Sequence, residues 1–300
     1  LPEAPPSPAR RCARSRATQC APNFSLLLLF LLFSLALLVP TPALAARIRE
    51  PAAILQRAES VLAEDLTAWS AAAGLVWPPE RVVIRIFKQE RELEIWAGAG
   101  DGSPLRLVRT LPVCAMDFLP GPKLAQGDGR TPEGFYHPEF GYDSQCWWMW
   151  MDLDAVDATG EVGRGSCFKM CIEYPNALDR KRSRALGIQD PGGAICIHGN
   201  CVSIGCASLS NRDFLAVFTF ARHHLAARHG PLQVHLFPFR FDQVGPEQLD
   251  ALLRANPPTS TLGERELRLF WDNLKEGFER FNLDPRPLSV RVGENRYLFD

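Results

Sequence analysis

The chain has 300 residues, of which 46% are hydrophobic, enough to bury a sizeable core. Its 33 Lys and Arg against 34 Asp and Glu leave a formal charge of −1, which removes any electrostatic case for nucleic acid as a partner. The first residue is Leu1 and no Met precedes Met116, so the start is expected to be a non-standard or truncated one, with Leu1 to Ala9 untranslated.

Arg10, Arg11, Arg14 and Arg16 precede an apolar run from Phe24 to Val39, followed by Pro40 and Ala43-Leu44-Ala45. That layout predicts an export signal over residues 1–45, cleaved after Ala45. The run is short for a membrane span, and an uncleaved signal would leave an inner-membrane tether instead. Between Pro51 and Ala73, Leu55, Leu62, Leu66 and Trp69 recur at helical spacing, and Gly74 and Pro78-Pro79 end the pattern. Val82 to Phe87, Glu92 to Trp96 and Leu105 to Val113 read as three strands.

Leu119 to Gly134 is rich in Gly and Pro and reads as a loop carrying Lys123 and Arg130. The block Cys146-Trp147-Trp148-Met149-Trp150-Met151 reads as a small satellite core or, alternatively, as a surface for stacking on sugar rings. Ser166 to Tyr174 is a strand candidate that delivers Asn176, Asp179 and Arg180 to its far end. Arg180, Lys181, Arg182 and Arg184 follow in what reads as a polar loop. A helix capped by Ser210 or Asn211 runs to Arg228, and Leu232 to Phe237 is a strand. The tail holds two short helical stretches, Pro246 to Ala255 and Glu264 to Phe281, and a hairpin at Leu288 to Leu298.

The chemistry concentrates between Ile195 and Asn211. A short apolar strand ends at His198-Gly199, and Ser203-Ile204-Gly205-Cys206 presents a thiol directly after a glycine. Glycine there admits a substrate carbonyl, and the amides of Gly205 and Cys206 are placed to hold an oxyanion. A thiol is mostly protonated at neutral pH, so an imidazole nearby, His198, is the economical activator. His235 is the second histidine to examine, although its alternation within a strand suits a structural role.

With Cys12 and Cys20 removed in the leader, seven cysteines remain, and an odd number in an oxidising compartment leaves at least one thiol unpaired. Cys206 is the natural candidate. Cys167 and Cys171 are unsuited to each other, because four residues of strand separate their α-carbons by about 13 Å. Cys201 is expected either to bridge Cys206 and silence it, or to bridge another partner, Cys196 or Cys114, and hold the loop. A zinc site from Cys196, His198, Cys201 and Cys206 is a rival reading, weakened by the missing Cys-x2-Cys spacing. A non-catalytic wall-binding protein is a second.

The motif His198-Gly199 with Ser203-Ile204-Gly205-Cys206 resembles the active-site signature of L,D-transpeptidases of the YkuD type. Ile204 stands where the common form has His, and Ala207-Ser208 where it has an apolar residue and Arg. These departures, with the inserted Asn200-Cys201-Val202, resemble the YafK-like branch. So do Gly121-Pro122-Lys123 leading to Gly127–Tyr136, Tyr174–Arg180, and Phe270–Gly277. The resemblance implies a predominantly β fold, a YkuD-like β-sandwich or barrel with flanking helices. It would comprise an N-terminal helical segment (46–81), a catalytic domain (82–242) and a mixed α/β C-terminal extension (243–300). It implies a periplasmic enzyme needing no metal or organic cofactor and acting on diaminopimelate-containing peptidoglycan stem peptides. Cys206 would form a thioester, His198 would serve as base and then acid, and the Gly199 carbonyl would orient the imidazole. Gly205 would sit at the oxyanion site. Ser203, Asn176, Lys123, Arg130, Arg180 and Arg212 are the implied or candidate substrate-binding residues. Arg180 and Arg212 are proposed to replace the missing Arg. The acceptor would be a diaminopimelate amine or a lipoprotein lysine. With water it would be an amidase that releases lipoprotein from the wall.

Overall fold

The computed structural model describes residues 51–139, 169–255 and 262–300. The expected export signal and the Trp147–Trp150 block, with Cys146 and Cys167, lie outside the described residues.

Helix α1 (Pro51–Ala72) is followed by three antiparallel strands, β1 (Arg81–Phe87), β2 (Glu92–Gly98) and β3 (Arg106–Pro112). β4 (Gly134–Tyr136) and β9 (Gln233–Phe237) complete a five-stranded sheet of order β3-β2-β1-β9-β4, in which β1 and β9 run parallel. A four-stranded sheet, β5-β6-β7-β8, is built from Pro138–Glu139, Lys169–Ile172, Cys196–His198 and Ala207–Ser208. Its last pair, β7 and β8, is parallel.

β1 is buried along its whole length because helices cover both faces of the sheet. Val82, Ile84 and Ile86 join Leu62 and Leu66 of α1 and the apolar stripe of α3 (Asn211–Ala227) in the main core. Phe87 faces the opposite way, into a second, aromatic core with Phe237, Trp271, Leu274 and Phe278. The last three come from α5 (Glu264–Leu283), which follows α4 (Pro246–Ala255) and precedes the hairpin β10–β11 (Val290–Val292, Tyr297–Phe299). A fully buried leucine or phenylalanine contributes about 1.5–3 kcal/mol. The N-terminal helix and the C-terminal segment are therefore integral to the fold.

Two expectations need correction. The chain is a mixed α/β protein, not predominantly β, since helices of 22, 17 and 20 residues form the outer layers. The polar run after Asn176 is a helix, α2 (Ala177–Ala185). Asn176 accepts from the amides of Leu178 and Asp179 (2.9 and 3.1 Å), and the Asp179 carboxylate accepts from the Asn176 amide (3.1 Å). This reciprocal cap starts a helix that has almost no apolar period to betray it. No helix among the described residues is long and apolar enough to cross a membrane.

Candidate active site

β7 ends on His198, and β8 begins one residue after Cys206. Their parallel register pairs Ile197 with Ala207 and His198 with Ser208, which sets Cys206 across from Cys196, two residues along the strand pair from His198. Only eight residues, 199–206, make this connection, so the backbone takes sharp turns. Asn200, Cys201 and Gly205 all have positive φ (77°, 49° and 136°). Gly205 is doubly required, because an added Cβ would also lie 2.9 Å from the Arg130 carbonyl oxygen. A Cβ on Gly199 would collide with the Asn211 side chain, whose Oδ1 accepts from the Asn200 amide (2.8 Å).

His198 is buried, with Nδ1 2.6 Å from the Gly199 carbonyl oxygen. A carbonyl only accepts, so the proton sits on Nδ1 and the Nε2 lone pair is left for chemistry. Burial, with a further push from the Lys169 charge, holds the imidazole below its ordinary pKa, against the opposing effect of the Gly199 carbonyl. The half-buried Cys206 is the free thiol among the described cysteines. Its Sγ accepts from the Cys196 amide (3.4 Å) and lies 3.6 Å from the Ala194 carbonyl oxygen. Burial raises its pKa, while the Cys196 N–H and the charges of Lys169 and Lys123 act the other way. Both shifts favour the neutral forms of the two groups, a thiol and an imidazole, at neutral pH.

Three of these features escaped the sequence. Ser208, fully buried, donates its hydroxyl to the Gly199 carbonyl (2.8 Å) and backs the atom that orients His198. Lys169, on β6, is the cross-strand register partner of His198. The Cys196 amide reaches Sγ only because β7 and β8 pair in parallel. A Ser two residues after the thiol was the one available signal.

The remaining candidates sit as follows. The Gly205 amide does not face an open oxyanion site; it donates to Ser203 Oγ (2.9 Å), which in turn donates to the Cys206 carbonyl (2.6 Å). Ser203 is therefore a staple of the turn. Asn176 is a buried helix cap whose Nδ2 donates to the Tyr297 hydroxyl (3.0 Å). Lys123 is buried against Asp128 (2.6 Å), within the loop it belongs to. Arg130 pairs with Asp117 (3.2 Å), and its carbonyl abuts Gly205, so the Leu119–Gly134 loop does border the site. That loop is anchored from behind by Lys88, which bonds the Gly121 and Thr131 carbonyls (2.8 and 3.1 Å) and Glu133 (3.1 Å). Arg212 pairs with Asp65 of α1 (2.5 Å). His235 is fully buried among Phe135, Phe237 and Phe281. Arg180 alone of the cationic candidates is exposed near the site loop.

Cys201 bridges Cys114, and Cys171 bridges its register partner Cys196. This settles the alternatives left open for Cys201 against a Cys201–Cys206 bond, and it removes two thiolates from the zinc reading. The Cys114–Cys201 bond ties the 199–206 turn to the segment after β3, where Ser208 and Ala115 exchange backbone hydrogen bonds (2.8 and 3.3 Å). It closes a loop of 87 residues. Its removal in a Cys114→Ser/Cys201→Ser variant is expected to cost about 2–5 kcal/mol. Thermal melts check the loss, and non-reducing peptide maps should show Cys206 alone alkylated among these five cysteines. A map joining Cys206 to any of them would contradict the arrangement.

The chain matches no family model. Among solved structures it is similar to the helical cell shape determining protein Pgp2 of Campylobacter jejuni, with a TM-score of 0.34 and 15% identity over 75% of this chain and 79% of that one. It is also similar to Bd1075 of Bdellovibrio bacteriovorus, with a TM-score of 0.33 and 18% identity over 54% of this chain and 48% of that one. In sequence it is 30% identical over 219 residues to YafK of Escherichia coli K12, named as a candidate L,D-transpeptidase. The match covers 72% of this chain and 73% of that one, and the protein of the same name in strain O157:H7 matches equally. The chain therefore belongs to the L,D-transpeptidase family, in its YafK-like branch.

Proposed function

We propose that the protein is an exported, cysteine-dependent L,D-transpeptidase acting on peptidoglycan stem peptides. The observation that carries this reading is a free Cys206 thiol two residues along the β7–β8 pair from a buried His198 whose Nδ1 proton is held by Gly199, which leaves Nε2 as a base. In the first half-reaction Nε2 takes the Sγ proton as sulfur attacks the carbonyl at the L-centre of diaminopimelate. A C–S bond forms, the C–N bond to the terminal D-residue breaks, and His198 returns the proton to the departing amine. The acceptor amine then attacks the thioester; a C–N bond forms, the C–S bond breaks, and the amine's proton passes through His198 to the departing sulfur. The Cys196 N–H supports the sulfur as it gains charge. Two disulfides among five described cysteines support an oxidising compartment, in keeping with the periplasm.

Mass spectrometry of purified tetrapeptide muropeptides after incubation tests the reading. The expected products are the released terminal D-residue and a dimer joined between two diaminopimelate residues. Tripeptide without dimer would move the protein to hydrolysis. Lipoprotein-linked muropeptides, incubated in parallel, should then lose their lipoprotein. No change in any substrate would overturn the enzymatic reading.

A further inference from the structure

A groove of about 240 Å³ lies between α2 and the loop that leads into the thiol site. Arg180 and Arg184 line it together with Gln189, Asp190, Pro191 and Gly192. The two arginines are four residues apart, so they project from one helix face. Both are exposed, and neither side chain has an ion-pair or hydrogen-bond partner among the described residues. Their neighbours are committed elsewhere. Lys181 donates to the Glu294 carbonyl (2.5 Å), and Arg182 pairs with Asp179 (3.5 Å) and stacks on Phe270 (3.7 Å).

The one acid in the groove does not neutralise the pair. Asp190 Oδ1 accepts from the Gly192 amide (2.8 Å), and no ion pair joins it to either arginine. The groove therefore presents two guanidinium groups with spare donors, a chemistry suited to a carboxylate. Its far edge, Gly192, is two residues from Ala194, whose carbonyl oxygen lies 3.6 Å from Cys206 Sγ. Two residues span at most about 7 Å. Gly192 and Gly193 carry no side chain, and Gln126 and Lys123 pack against Gly192 from the neighbouring loop.

We propose that this groove is the subsite for the side-chain carboxylate of the substrate residue whose carbonyl Cys206 attacks, held by Arg180 and Arg184. The inference rests on the reading of Cys206 as the acylated residue. In diaminopimelate that carboxylate stands six bonds from the attacked carbonyl, a reach of roughly 7 Å, of the same order as the span from Gly192 to Ala194, whose carbonyl oxygen lies 3.6 Å from Sγ. Electrically, the subsite makes the enzyme select an acidic residue at this position over its amidated counterpart.

Two tetrapeptides test it, one with the diaminopimelate side-chain carboxylate free and one with it amidated. With the free acid, Arg180→Gln/Arg184→Gln should raise KM about 10- to 100-fold while kcat falls less than twofold, and with the amide KM should hardly move. Binding of both peptides to Cys206→Ala protein, by calorimetry, separates the subsite from the chemistry. The acid should bind tighter than the amide, and that preference should vanish when the two arginines are also replaced. Selective binding without turnover by the unmodified protein would sink the acylation reading and leave the subsite standing. Equal losses for both peptides, an unchanged KM for the acid, or no preference in binding would overturn the subsite. Unchanged melting of the double variant confirms that the helix persists.

Discussion

Cys206→Ala should remove turnover, lowering it by about 10⁴-fold or more, because in the proposed mechanism Cys206 is the group that forms the covalent acyl intermediate. The side chain is half-buried, and its polar contacts are one backbone N–H and one carbonyl. Its loss leaves no buried charge and only a small void, so the variant should keep its circular dichroism spectrum and melt within a few degrees of the parent protein. Intact-protein mass spectrometry after incubation with a carbapenem gives a direct readout. The parent chain should gain one adduct and the variant none, because a strained lactam offers the thiol an amide-like carbonyl. Turnover by the folded variant, or an adduct that persists in it, would dispose of the covalent mechanism.

His198→Ala should lower acylation by about a hundredfold or more, the range general acid–base groups supply. Its pH dependence separates a proton-transfer role from a structural one. As the proposed base the imidazole would act in its neutral form, and burial depresses its pKa. Acylation should therefore rise with pH through a limb below the ordinary imidazole range and reach a plateau by neutrality. Without His198 the rate should follow the thiolate fraction alone. Burial raises the Cys206 pKa, so the variant's rising limb should lie in the alkaline range. An unchanged profile would hand the role to another group. His235 is poorly suited, since it lies fully buried on the five-stranded sheet under Phe281 of α5.

Much of the architecture was legible from local pattern. Helical spacing marked α1, α3 and α5, and short apolar runs bounded by Gly and Pro marked β1, β2, β3 and β9. Each of these signals is carried by residues within a few positions of one another. The candidate pair Cys206 and His198, with Gly199 and Gly205, was legible for the same reason. The whole turn is eight residues long, and its motif is contiguous. Helix α2 carried a readable cap, Asn176 with Asp179, but its cationic surface hid it, because only Leu178, Asp179 and Ser183 are buried.

What only the tertiary structure decided is which side chains already have partners. From sequence alone Asn176, Lys123, Arg130 and Arg212 were interchangeable with Arg180 as substrate contacts, each being polar and near a motif. Folding commits the first four to Tyr297, Asp128, Asp117 and Asp65, which lie 121, 5, 13 and 147 positions away along the chain. The same holds for Cys201 and Cys114, 87 positions apart, and for Lys169, which meets His198 only through strand register. Residue type sets what a side chain is able to bind, and local spacing sets the element it stands on. Whether a side chain is spent inside the fold depends, for all but the local Lys123–Asp128 pair, on strand order, helix packing and loop closure, which no contiguous stretch of the chain encodes.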